Sequence, residues 1–231
     1  MSSVRTPDAL NSGVEISDTQ LIEVYRAQLE RLSGLCASIG ISRPAYLSKE
    51  LPHFQKLSSE AKAAAVTSIR FFLQICEEAT ASGEQLMDTK RLTWRALRHF
   101  GLVPSEDLFS TMTEDTIVEV YNTDNIQVFR NFEFFKFCSY TLEDTFCRPW
   151  PELFRRPDPF VAKAVQDRLT EVLDTGSRSL VPSGISAHVV EEIDSLRLNR
   201  MMLEICDFAA LYDKQNQLAG YIALERAHFI N

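Results

Sequence analysis

The chain has 231 residues, of which 45% are hydrophobic and 24% charged, the composition of an ordinary globular protein. Its formal net charge of −8 is unevenly spread: residues 1–104 carry 12 Lys/Arg against 11 Asp/Glu, and residues 105–231 carry 12 against 21. An acidic C-terminal half is a poor electrostatic match to nucleic acid or to an anionic membrane, so neither is an expected partner. No stretch approaches the roughly 18 apolar residues of a membrane helix. The start, MSSVRTPDALNSGVE, lacks the apolar core of a secretory signal. Cys36, Cys76, Cys138, Cys147 and Cys206 are scattered and odd in number, which points to free thiols in a reducing compartment and a cytoplasmic location.

In chain order, residues 1–17 read as a mobile tail. Ser17 or Asp18 is placed to cap a first helix, in which Ile22, Tyr25, Leu29, Leu32, Cys36 and Ile39 recur at spacings of three and four and form one stripe. Two uses of that stripe are open, packing within a small bundle or a homodimer seam through Ile22, Tyr25, Leu29 and Leu32. Gly34 interrupts the stripe, and Gly40 and Pro44 end the helix. Ser58 opens a second long helix with Val66, Ile69, Phe72, Leu73 and Cys76 inward, closed by Ser82-Gly83. Asp88 caps a third, stopped by Gly101. Leu92, Ala96, Leu97 and Phe100 face inward on it, while Lys90, Arg91, Arg95 and Arg98 make a basic outer face. That face is either a solvated surface or, in an alternative reading, a DNA-recognition helix over 88–100.

The charge shift near residue 104 suggests a boundary, giving a tail at 1–17, a helical module at 18–104 and a second domain at 105–231. A short helical segment, SEDLFSTM, leads into a β-branched strand over 116–121, a turn at Asp124-Asn125 and a returning strand over 126–129. Short helical pieces come next, one capped by Thr141, and Pro149 and Pro151 break the chain around Trp150. Pro157-Asp158-Pro159 precedes a longer helix ending at Gly176. Val181-Pro182-Ser183-Gly184 is a break. Strands are expected over 187–193, 199–212 and 217–225, the last two joined by a turn at 213–216.

This order is similar to that of the PAS domain. Asn131 followed by FEFFKFCSYTLEDTF resembles the family's N-x-x-F-x-x-x-x-G-Y-S-x-E-E-L pattern, with Asn131, Phe134 or Phe135, Tyr140, Thr141, Glu143 and Asp144 at or near its positions and Ser139 in place of the glycine. The segment 148–154, RPWPELF, resembles the next stretch of the family's domain; Pro157-Asp158 stands near its H-P-D-D, and 172–176 resembles the close of its long helix. Asp213 and Gly220 match the hairpin pattern D-x-x-G-x-x-x-G, with Asn216 for the first glycine. The resemblance covers about residues 116–227. It implies a five-stranded antiparallel sheet with helices on one face; with the N-terminal helical bundle read at 18–104, where no family resemblance is seen, the expected fold is α+β. The resemblance also implies bacterial signalling, a homodimer and a protein signalling partner.

In such a domain the space between sheet and helices either holds a small ligand or is filled by side chains. Its candidate lining here is Cys138, Trp150, Phe154, Met201, Leu203 and Ile205, suited to a small apolar ligand. Haem and photoactive flavin are disfavoured as cofactors: residues 160–174 contain no histidine, and neither Cys138 nor Cys147 stands in the flavin-type N-C-R-F-L-Q motif. No metal spacing links His53, His99, His188 and His228. Glu143-Asp144 and Glu191-Glu192-Asp194 read most simply as solvated carboxylates. No nucleophile elbow, phosphate loop or dinucleotide fingerprint is present, so a non-catalytic regulatory protein is expected. The remaining alternative is an enzyme with Cys138 or Cys147 as nucleophile.

Overall fold

The computed structural model describes residues 17–105, 107–176, 185 and 187–230. Residues 1–16 of the tail expected at 1–17, and the break at 181–184, lie outside the described residues, while Ser17 caps the first helix.

Four helices open the fold. Helix α1 (Asp18–Ser38) begins in a capping box, where the Ser17 side chain accepts from Gln20 N and the Gln20 side chain accepts from Ser17 N. Helix α2 (Pro52–Gln55) is one turn; α3 (Ser59–Ala81) is capped by Ser58 and α4 (Thr89–His99) by Asp88. The stripe of α1 is used by the chain itself: Tyr25, Leu29, Leu32 and Cys36 are completely buried, and Tyr25 stacks on Phe54 with ring centroids 4.2 Å apart. Gly34 sits inside α1 without breaking it. The homodimer seam expected through Tyr25, Leu29 and Leu32 therefore has no surface to offer; Ile22 alone is half-buried. The cause is α3, whose Ile69, Phe72, Leu73 and Cys76 supply the facing apolar stripe.

A short α5 (Leu108–Thr111) leads into an antiparallel sheet of β1 (Ile117–Asn122), β2 (Gln127–Arg130), β3 (Phe154–Arg155), β4 (His188–Glu192), β5 (Arg200–Tyr212) and β6 (Leu218–Phe229). Its order is β2-β1-β6-β5-β4-β3. Between β2 and β3 come α6 (Phe132–Phe137), α7 (Leu142–Cys147) and α8 (Trp150–Leu153), and between β3 and β4 comes α9 (Pro159–Thr175). Six strands stand where five were expected. The extra one, β3, adds only Phe154 and Arg155 against Glu192 and Glu191. Two residues carry no alternation, so nothing in the sequence marks them as a strand.

Helices also pack on both faces, not on one. The register pairs Ile117 with Glu225, Glu119 with Ala223 and Tyr121 with Tyr221, so these side chains share a face. That face, with Phe208 and Ala210, meets Leu169 and Val172 of α9. Val118, Val120, Leu211, Ile222 and Leu224 on the other face are fully buried in one continuous core with Leu92, Ala96 and Leu97 of α4. Polar bonds reinforce the junction between the two halves of the chain. Asn131 Nδ2 donates to Thr89 Oγ1 at 3.3 Å, and Val103 exchanges backbone hydrogen bonds with Tyr212. The apolar core thus runs across residue 104.

Candidate functional site

The floor of the site is a row of side chains from consecutive strands. Arg130 stands opposite Glu119 across β2 and β1, Glu119 opposite Ala223 across β1 and β6, and Ala223 opposite Phe208 across β6 and β5. Because side chains alternate along a strand, Tyr121, Tyr221 and Glu225 point the same way. Phe146 at the end of α7, Trp150, Arg156, and Val165, Gln166 and Leu169 of α9 form the walls. Between floor and walls lies a cleft of about 470 Å³. That size falls within the roughly 300–1,000 Å³ of small-molecule sites.

The lining is unusual for a buried strand surface. Glu119, Glu225 and Arg130 are 2%, 5% and 7% exposed. Burial holds Glu119 above the ordinary carboxylate range against the pull of Arg130. Burial, reinforced by the Glu119 charge and opposed by Arg156, pushes Glu225 to about 8. Burial lowers the Arg130 and Arg156 guanidiniums, opposed chiefly by Glu119 and by Glu225 respectively. Glu119 accepts from Gln127 Nε2, and the Tyr221 hydroxyl donates to Asn125 Oδ1. Tyr121 and Tyr221 stack with centroids 4.8 Å apart and planes 7° from parallel. Arg156 lies over the Trp150 ring at 4.1 Å and donates through Nε to His188 Nε2 at 3.0 Å. Arg130 lies over the Phe134 ring at 4.8 Å, and its Nη1 has no hydrogen-bond partner.

Five of the six residues expected to line a pocket do come together. Cys138, Trp150, Phe154, Met201 and Leu203 surround a second cavity, but its volume is only about 20 Å³. Side chains fill it, with Phe134, Phe137 and Val190 closing the gaps. Ile205 belongs instead to the cluster under α9. The open volume lies beside this spot and mixes aromatic and apolar walls with charged groups; Trp150 and Glu225 border both cavities. Glu119, Arg130 and Glu225 were not among the residues expected at a site. The two glutamates left a signal, since in IVEVY and GYIALE a lone glutamate interrupts an apolar strand, but the sequence does not say what it faces.

The carboxylates expected to be solvated are mostly buried and engaged. Glu143 Oε1 accepts from His53 N at 2.8 Å and Phe54 N at 3.2 Å, capping α2 from across the chain. Asp144 accepts from the Thr141 hydroxyl at 2.7 Å and lies 3.2 Å from Arg148 Nη1. Glu192 accepts from Ser139 N, from the Ser139 hydroxyl at 2.5 Å and from Asn199 N at 2.9 Å. Such partners offset the cost of burying charge. The thiols are held in the protonated form: burial pushes Cys138 to about 11 and Cys147 to about 12. On α4, Arg95 pairs with Glu84, Arg91 with Asp88, and Arg98 lies over Trp94, so the basic face is partly neutralised within the chain.

Among the described residues no group of three or more His, Cys, Asp or Glu is placed to hold a metal ion, and no helix is long and apolar enough to cross a membrane. No family model, no curated protein and no solved structure matches the chain.

Proposed function

We propose that this chain is a regulatory module of the PAS type that takes a small molecule into the cleft over Glu119 and Glu225 and passes the resulting change in packing to a protein partner. One observation carries the reading. The cleft lies between the sheet and the long helix after the short-helix run, and its floor holds three buried ionisable side chains, Glu119, Glu225 and Arg130, none of them joined to another in an ion pair. Buried charges without an opposite charge in contact are costly to keep, which is a reason to look for a ligand at them. The order β2-β1-β6-β5-β4, with α6 to α9 inserted before β4, supports the PAS assignment. The elevated thiols favour a binding role over nucleophilic chemistry at Cys138 or Cys147.

Transmission has a natural route. Helix α9 roofs the cleft but has only Leu169 and Val172 buried, while Phe160 at its start is 84% exposed. Two such side chains supply only about 1.5–3 kcal/mol each. A ligand touching Val165, Gln166 and Leu169 can therefore shift the position of α9 at small cost.

Native mass spectrometry of protein purified from its own host tests the binding role. The expected spectrum shows a small-molecule adduct that disappears on unfolding. A bare mass that stays bare after incubation with the low-molecular-weight fraction of the host extract would contradict the proposal.

A further inference from the structure

The charges in the cleft indicate a class of ligand, an inference that rests on the cleft being a binding site. Arg130, Glu119 and Glu225 stand on the consecutive strands β2, β1 and β6, with Arg156 reaching in from the far wall. Two carboxyls and two guanidiniums balance in number, yet no two of the four are joined in an ion pair within 4.0 Å. Arg156 Nε is taken by His188 and one oxygen of Glu119 by Gln127. Arg130 is more than nine-tenths buried, and its Nη1 donor is unpaired. An unpaired buried donor costs the full desolvation of that group, and a ligand carboxylate would repair it. A bare anion placed there would still face Glu119 and leave the protonated Glu225 unused; a bare cation on the glutamates would face both arginines. A molecule with one charge of each sign, set close together, satisfies the row without leaving either sign exposed. Tyr121, Tyr221 and Phe208 offer ring surface beside it.

We infer that the cleft binds an amino-acid-like zwitterion, its carboxylate received by Arg130, its ammonium by the Glu119–Glu225 pair, and its side chain by Tyr221 and Phe208. At neutral pH the elevated Glu225 must give up its proton to receive the ammonium, so binding releases a proton.

The test uses the full chain in titration calorimetry, with the standard L-amino acids as probes. The best binder is then compared with its des-amino acid and its decarboxylated amine. The expected result is that the amino acid binds roughly tenfold or more tightly than either one-charge analogue. Arg130→Gln should bring it to the level of the amine and Glu225→Gln to that of the des-amino acid, with circular dichroism checking that both variants fold. The comparison on the wild-type chain stands even if a variant does not fold. An analogue that matches the amino acid overturns the inference. So does the absence of any binding amino acid: if native mass spectrometry still finds a retained adduct, the ligand-site reading survives alone, and if it finds none, both fall.

Discussion

Glu225 is held away from water on β6 beside Glu119 of β1 and opposite the pull of Arg156, and its proton is retained to about pH 8 instead of the usual 4.5. A carboxyl with a raised folded-state value binds more protons folded than unfolded between those two points. Stability is therefore greatest below the unfolded value and falls as pH rises through the window up to about 8. Asp207, pushed to about 7 mainly by burial, acts in the same direction. Urea titrations between about pH 5 and pH 8 should show a declining unfolding free energy, and Glu225→Gln should flatten the decline by up to about 1.4 kcal/mol per pH unit. An unchanged slope in the variant would mean that Glu225 ionises normally. Single residues are also where the sequence was least legible. A glutamate in a strand gives no sign of whether it faces water or a cleft until register is known. Asn131 was legible as a motif position. Its role comes only from geometry, since it accepts from Val118 N at 3.1 Å and donates to Thr116 O at 2.8 Å, fastening the start of β1.

At the scale of elements, local chemistry was readable wherever it set a boundary. The caps Ser17, Ser58, Asp88 and Thr141 all hold their helix starts, and each accepts a hydrogen bond from the first turn. The strand expected to end at residue 225 runs on to Phe229, because β5 is long enough to pair with it throughout. The close approach of β6 to β1 is carried by Gly220, opposite Asn122. A methyl group there would run into the Tyr121 carbonyl and press on the Asn122 backbone. Backbone cannot swing aside as a flexible side chain can, so Gly220→Ala should cost about 1–3 kcal/mol and lower the melting temperature accordingly. A variant of wild-type stability would show that the two strands part easily. Asn216, in the matching turn, adopts φ 62° without a glycine, a conformation asparagine tolerates better than most residues. The stripe of α1 illustrates the limit of periodicity: it established a buried face but not which neighbour buries it, and the neighbour is α3.

At the scale of the whole molecule, the strands and helices of the C-terminal half, the two-residue β3 apart, could be placed in order from sequence, while the joining of the two halves could not. Glu143 caps α2, Leu142 N and Glu143 N donate to Pro44 O and Ala45 O at 3.0 Å, and Arg43 Nε donates to Phe135 O. These contacts link residues nearly a hundred positions apart, and no local pattern encodes them. They tie the helical half to α6 and α7, next to the cleft wall at Phe146 and Trp150. A ligand in the cleft would thus be felt both by the lightly held α9 and, through α7, by the N-terminal helices. Hydrogen–deuterium exchange of the full chain, with and without the low-molecular-weight fraction of host extract, tests ligand binding at the cleft most directly. Exchange in β1, β6 and α9 should slow when the fraction is present. Unchanged exchange in those three elements, or protection confined to the outer face of α4, would contradict it.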